Sequence, residues 1–495
     1  MPKASEVMVA VDLGAGSGRV MAGRLTGEAL ELTEVHRFVR TPAAVDGLLR
    51  WDLDFLESSI RQGLAKLGPA ENVVSVGIDT WAVDFVLVGA DGQPLEWARC
   101  YRNEHTRALV EPTLKQLGEA AVYQRTGIQT LHFNTLFQLA AWKLSSPRTF
   151  EKAKRFAMVP DWLAHRLGAP LVNEATNASS TQMLDARTRD WDQTTFEALG
   201  ISSDWFTKPV SPGTVLAPSV SLGSHRPALI APATHDTGSA VAAIPLKDER
   251  SAYIATGTWC LIGIESKVPE TGEAARQANF TNEAGVDGTY RFLKNCMGLW
   301  LIQQLKVSWS DCPDFGPLTT AAATAPAFVS LVDADDPSFF QPPSMKRALE
   351  DWWTKTGQPI PAGPGGYARS CLESLVLVFR RTLEQIETIR GIKLERLHLV
   401  GGGCQNTLLC QLTADATGLA VFAGPVEASA LGNLVVQARA LGLVADQAEA
   451  RGLVERSFPL VEYHPRGDRD EWTKAARRLE GLKKRRTACE EPRSR

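Results

Sequence analysis

The chain has 495 residues, 44% hydrophobic and 22% charged, which predicts two or three domains with cores that need no disulfide or metal, and excludes wholesale disorder. Its eight cysteines, at 100, 260, 296, 312, 371, 404, 410 and 489, form no CxxC, which excludes a zinc ribbon or thioredoxin motif and predicts a reducing, cytoplasmic setting. The net charge of −3 is uneven, because residues 474–495 hold nine Lys/Arg and three Asp/Glu; the acidic remainder is no nucleic-acid binder, and the end around Lys483-Lys-Arg-Arg486 is expected to be a solvated, frayed tail.

In chain order, the first predicted element is a hairpin over 7–25, in which two apolar stretches flank a Gly/Ser turn. Strands follow at 73–78 and 84–88, meeting at a polar and aromatic bend. Helical patterning marks the middle of 101–127, then 133–144, then 160–168 with Pro at its start and Gly at its end. The Pro/Gly/Ser-rich stretch 210–232 reads as a connection. A second hairpin over 252–265 lies about half a chain length from the first, which raises a duplication of two α/β halves against a coincidence of two Gly-rich turns. Helical periodicity is expected over 295–306 and 368–390, with 309–345 a loop insertion. A strand at 396–400, a glycine run, a helix near 405–417 and another from Glu427 complete an α/β pattern.

Several motifs carry possible chemistry. Asp12-Leu-Gly-Ala-Gly-Ser-Gly18-Arg19 lets backbone N–H groups crowd phosphate oxygens, with Asp12 facing the accompanying metal. It is no Walker A loop. A dinucleotide fingerprint requires a helix after Gly18, whereas Val20 onward predicts a strand. A plain hairpin turn is the alternative. Thr256-Gly-Thr258, at the second turn, has hydroxyls and amides suited to the far side of a triphosphate. Gly401-Gly-Gly403 between strand and helix offers a slot for adenine and ribose, or else a tight turn. In Thr234-His-Asp-Thr-Gly-Ser239, Asp236 is either a base for a substrate hydroxyl or a helix N-cap. In Gly77-Ile-Asp-Thr-Trp-Ala-Val-Asp84, Trp81 suits a sugar face and Asp79 or Asp84 suits hydroxyls; a packed hairpin is the competing view. Asn295 and Gln303 fall within about 80° of each other if both lie on one helix. No histidine pair suits a metal, and no Gly-x-Ser-x-Gly elbow occurs. The opening residues lack a leader layout, and no apolar run approaches the ~18–20 residues of a membrane span.

Together these motifs resemble the FGGY carbohydrate kinases. The resemblance is carried by Ala10 to Arg19, Gly77 to Phe85, Phe133-Asn-Thr-Leu-Phe-Gln138, Thr176-Asn-Ala-Ser179 and His235 to Ser239. It continues through Gly257-Thr-Trp259, Phe280-Thr-Asn-Glu283, Leu293 to Trp300, Val400 to Asn406 and Ala423-Gly-Pro-Val-Glu-Ala-Ser429. It implies two ribonuclease H-like domains of the actin and sugar kinase superfamily with a cleft between them. The expected division is 1–245 on the sugar side and 246–466 on the nucleotide side, with 467–495 a basic tail.

The resemblance also implies ATP-dependent phosphorylation of a ketose at a primary hydroxyl, with L-rhamnulose the expected acceptor and xylulose, fuculose or glycerol the alternatives. Asp236 matches the general base. Ala15, Gly16, Ser17, Gly18, Arg19 and Thr258 match phosphate contacts. Gln303, Gly401, Gly402 and Gly403 match nucleotide contacts. Ala82, His235, Thr237 and Asn295 match the sugar side, with Asp12 facing Mg²⁺. Two departures stand out: Ala82 replaces a glycine in the bend, and Ala15-Gly-Ser-Gly replaces Ala-Ser-Ser-Gly in the first loop. A non-catalytic actin-like ATP binder is the rival from another class. The oligomeric state is left open.

Overall fold

A computed structural model describes residues 6–14, 16–309 and 314–490, with side chains through 486. Ala15, part of the expected phosphate loop, lies outside the described residues. The chain divides into two compact units. The first comprises Met1–Leu246, Glu265–Leu293 and Glu427–Pro459; the second comprises Lys247–Ile264, Lys294–Val426 and Leu460–Arg495.

The first unit is built on a six-stranded sheet of β1 (Glu6–Leu13), β2 (Ser17–Thr26), β3 (Ala29–Val39), β4 (Asn72–Thr80), β5 (Val215–Ala217) and β6 (Ala228–Ile230), in the order β5-β6-β4-β1-β2-β3. β1 runs antiparallel to β2 and parallel to β4, and β4 runs parallel to β6. The strand expected after Gly18 is therefore present where a dinucleotide fold would begin a helix. β1 is buried along almost its whole length, the signature of a strand covered on both faces. Met8, Ala10 and Met21 pack with Leu431, Leu434 and Val435 of the helix Ala428–Ala440. That helix crosses the helix Asp236–Ala243 so closely that a Cβ on Gly432 would lie 1.6 Å from the Ser239 carbonyl oxygen.

The second sheet contains β7 (Ser251–Thr256), β8 (Trp259–Ser266), β9 (Thr281–Ala284), β10 (Tyr290–Met297), β11 (Arg396–Val400), β12 (Ala420–Ala423) and β13 (Val461–Tyr463). Six of them follow the order β10-β8-β7-β11-β12-β13. β9 forms a hairpin with the first half of β10, within the first unit. β7 runs antiparallel to β8 and parallel to β11, β11 parallel to β12, and β12 antiparallel to β13. Strand for strand this repeats the pattern around β1, which favours duplication over two coincidental turns. The long helix Gly363–Arg390 buries Leu372, Leu375, Val376 and Phe379.

One alternative is excluded and two expectations are corrected. The bend after β4 is no hairpin, because the strand Phe85–Val88 pairs with Arg155–Met158 instead. The segment 309–345 holds a helix, Phe315–Thr324, in place of an unstructured insertion. The basic end is no frayed tail over its described part, since Arg469–Glu490 is one helix. Trp472, Ala475, Leu479 and Leu482 recur at helical spacing and are buried, and Lys483 pairs with Asp333 at 3.1 Å. Its charge had masked an amphipathic stripe.

Candidate active site

In the first unit, strand register brings carboxylates together. Asp12 faces Arg19 across β1–β2 and Asp79 across β1–β4. Thr80 forms a parallel bridge with His235, which sets Asp236 beside the same sheet edge. Three aspartates thus lie at the carboxyl ends of neighbouring segments, where open α/β sheets bind ligands. Burial, and then the charges of Asp12 and Asp236, hold the Asp79 carboxyl well above the usual range. Asp12 Oδ2 accepts from Arg19 Nη2 at 2.8 Å, and Arg19 Nη1 donates to Glu427. Arg19 is clamped between two carboxylates.

Asp236 is the first residue of its helix and His235 occupies the N-cap position, so Asp236 is not the cap. Its Oδ1 accepts from Thr237 N at 2.6 Å and from the Thr237 hydroxyl at 3.2 Å. The side chain stays 24% accessible. Its pKa is raised, first by burial and further by Asp12, against a lowering by His235. The segment ahead of it is fixed by Glu174, which is fully buried and accepts from Thr234 N at 3.0 Å and from the Thr234 hydroxyl at 2.6 Å. His235 N donates to the Thr176 hydroxyl at 3.2 Å.

Ala82 stands next to Val83, whose φ is +66°, a strained value for a β-branched residue. Hydrogen bonds hold that bend: the Thr135 hydroxyl and Gln138 Nε2 both donate to Val83 O, at 2.6 and 3.2 Å. Asp84 is saturated by donors from Trp51 and Trp81 Nε1, at 2.6 and 2.8 Å, Tyr101 N at 3.2 Å and Gln138 Nε2 at 3.1 Å. Burial pushes it up to about 6. Asp84 is a structural anchor, and Trp81 lies packed in the same cluster. Arg40 stacks on the Trp81 ring at 3.5 Å and donates to Gly14 O.

In the second unit, the turn Thr256–Thr258 adjoins the glycine run. The Thr256 hydroxyl donates to Val400 O at 2.5 Å and accepts from Gly403 N at 3.0 Å. A Cβ on Gly401 would fall 2.5 Å from Thr256 O, and one on Gly403 would fall 2.6 Å from Thr256 Oγ1; one on Gly402 meets nothing within 4 Å. Two of the three glycines therefore answer to packing, and Gly402 alone borders open space. The first loop divides the same way: Gly18 packs on Phe38 and Leu13, while Gly16 is open. The Thr258 hydroxyl donates to Gln303 Oε1 at 3.4 Å.

The family models decide the relationship. The model described as the FGGY family of carbohydrate kinases, N-terminal domain, matches residues 7–221, and its C-terminal counterpart matches 252–441. The chain belongs to the FGGY family of carbohydrate kinases. It is 43% identical over 467 residues to a rhamnulokinase of Pectobacterium carotovorum, covering 94% of each chain. It is 44% identical to one of Klebsiella pneumoniae over 87% of this chain and 88% of the relative. Among solved structures, gluconate kinase from Lactobacillus acidophilus superposes with a TM-score of 0.76 at 17% identity, over 98% of this chain and 97% of the other. Glycerol kinase of Plasmodium falciparum, solved with ADP, gives 0.76 at 16%, over 97% and 98%. At such identities the likeness is one of fold.

For this FGGY kinase, the structure groups Asp12, Gly16, Ser17, Gly18, Arg19, Ala82, His235, Asp236 and Thr237 in one unit, and Thr258, Asn295, Gln303 and Gly401 to Gly403 in the other. Asn295 and Gln303 do not share a helix: Asn295 is on β10 and Gln303 on the helix Trp300–Lys306. Gly298 breaks the pattern, since a Cβ there would sit 2.5 Å from the Trp259 carbonyl carbon. Sequence reasoning missed Arg40, Glu174 and Asn433, the last of which donates to Asp79 Oδ2 at 2.6 Å. Asn433 lies 354 positions from its partner, and no local pattern reports such a pairing.

Proposed function

We propose that this kinase transfers the γ-phosphoryl group of ATP to a primary hydroxyl of L-rhamnulose, giving L-rhamnulose 1-phosphate. The observation that carries the acceptor is the 43% identity to a rhamnulokinase across 94% of both chains. Asp236 is the general base: a partly accessible carboxylate whose pKa burial raises is a stronger base toward a hydroxyl proton than an ordinary carboxylate. His235, Thr237 and Asn295 orient the sugar, and Ala82 lines its pocket. Gly16 to Gly18 and Thr258 meet the phosphates; Gln303 and the glycine run, open at Gly402, take the rest of the nucleotide.

Phosphoryl transfer leaves the protein chiefly positioning and charge stabilisation. Arg19 enters this role by exchanging part of its pairing with Asp12 and Glu427 for phosphate oxygens. Mg²⁺ fits the residues present. No group of three or more metal-binding side chains occurs among the described residues, and magnesium that arrives with a nucleotide needs only one or two carboxylates besides phosphate and water. Asp12, pressed against Asp79 by register, gains from a divalent cation that relieves their repulsion. When bound, the ion neutralises charge on the phosphates.

A sugar screen with coupled detection of ADP tests the reading. L-Rhamnulose is expected to give the highest kcat/KM. A stronger preference for xylulose, fuculose or glycerol refutes the acceptor while leaving the reaction class standing.

A further inference from the structure

A buried cation beside the first loop has no assigned role. Arg40 follows β3 in the first unit and is 3% exposed. Its guanidinium carbon lies 3.5 Å from the centre of the Trp81 ring and 4.4 Å from that of Trp51. Both indole N–H groups donate to Asp84 Oδ2, so this aromatic seat is itself pinned. Arg40 makes no ion pair among the described residues, and its Nε and Nη1 are buried without a hydrogen-bond partner there.

The hydrogen bonds that Arg40 donates go to the first loop. Its Nη2 donates to Gly14 O, and its backbone N–H donates to Gly16 O at 3.3 Å. In a planar trans peptide the C=O and the N–H point opposite ways. With Gly16 O turned toward Arg40, the Ser17 N–H of the same peptide is turned away from it, as an amide that meets an anion must be. Burial without an ion pair is unfavourable for a guanidinium. It pushes the Arg40 pKa down to about 9, so the side chain stays charged at neutral pH. The indole faces attract that cation but carry no net charge, and Asp84 and Asp236 act on it only from beyond ion-pair distance. A phosphate across the loop offsets what remains.

We propose that Arg40 is a positioning residue of the phosphate loop: it holds the Gly14 and Gly16 carbonyls from behind, turns the amide edge of the loop toward the nucleotide, and sets a fixed positive charge behind the phosphates. It acts through the loop and touches no substrate. The inference rests on the phosphate role proposed for Gly16 to Gly18. The competing role, a donor to the sugar from Nε and Nη1, leaves the two bonds to the loop without a purpose.

Calorimetric titration of the full-length enzyme with Mg²⁺ and a non-hydrolysable ATP analogue, and separately with the sugar that the screen ranks first, compares wild type with Arg40→Met and Arg40→Lys. The first variant keeps an apolar stem on the indoles and removes donors and charge; the second keeps the charge and a donor. Arg40→Met is expected to bind the analogue roughly 10–100-fold more weakly. Arg40→Lys is expected to recover part of that loss, and both variants to bind the sugar as wild type does. A folded Arg40→Met protein with unaltered affinity for the analogue overturns the proposal. So does a loss confined to the sugar, which would make the unpartnered nitrogens sugar ligands. Crystals of the wild-type enzyme with the analogue give a test that depends on no variant folding. Arg40 is expected to keep its bond to Gly14 O while the loop meets a phosphate. A loop on phosphate with Arg40 released from Gly14 overturns this inference alone; a loop that meets no phosphate overturns the phosphate assignment beneath it as well.

Discussion

Asp236 and Asp84 show how two carboxylates in one unit sit in different surroundings. Asp84 accepts from four donors and is closed to solvent, whereas Asp236 accepts from Thr237 N and the Thr237 hydroxyl and keeps a quarter of its side chain open. The consequence is a pH profile. Asp236's pKa lies above the ordinary value of 3.8, through burial first. If Asp236 is the base proposed above, kcat is expected to fall as pH drops through that raised value. Replacing Asp236 by Asn keeps the shape and removes the acceptor of the proton. kcat is expected to fall by about 10²–10⁴ with nucleotide affinity retained, and the acidic limb to disappear. Steady-state kinetics across pH with titration of ATP checks both; near-normal turnover in Asp236→Asn would assign the base elsewhere. Asp236 could be singled out as a candidate because its motif sits in a short run of small polar residues. Glu174 could not be, because its meaning lies in a partner 60 positions away, Thr234.

At the scale of elements, glycines separate packing from ligand space. Gly401 has φ +79° and no room for a Cβ, while a Cβ on Gly402 would meet nothing within 4 Å. Gly401→Ala is expected to destabilise the protein by ~1–3 kcal/mol. Gly402→Ala is expected to leave stability within ~0.5 kcal/mol and to raise KM for ATP. Thermal unfolding and kinetics of the two variants decide the matter; an unchanged KM in Gly402→Ala removes the nucleotide slot. The hairpins β1–β2 and β7–β8 were readable because strand, tight turn and strand are all local. The stretch 295–306 misled because apolar residues at 296, 297, 300 and 301 keep helical spacing across the end of a strand, a glycine and a helix. The break is imposed by Gly298 packing against β8, a contact no periodicity encodes.

For the whole molecule, the terminal helix Arg469–Glu490 is part of the second unit's core. Arg478 Nη1 and Nη2 donate to Phe328 O and Val329 O at 2.7 and 2.9 Å, and Trp472 packs edge-on against Phe328. Removal of residues 467–495 is expected to lower stability by roughly 5 kcal/mol, the burial of Trp472, Leu479 and Leu482 together. Calorimetry compares the truncated and full chains, and equal unfolding temperatures would return this segment to the status of a dispensable tail. The duplicated topology could be suspected from two similar turns. The contribution of the last helix could not, since its Lys and Arg outweighed a sparse apolar stripe in any reading by composition.

The first unit is assembled from three separated stretches, the last ending at Pro459. Met8 and Met21, near the amino end, pack on a helix that begins only at Ala428. On the ribosome, the opening 246 residues emerge first, and the surface that covers β1 follows roughly 200 residues later. At about 5–20 residues per second, that delay is on the order of 10–40 s. For that interval the nascent sheet exposes an apolar face with its native cover still unmade, so the yield of active enzyme in a cell is expected to depend on translation speed and on chaperones that shield that face.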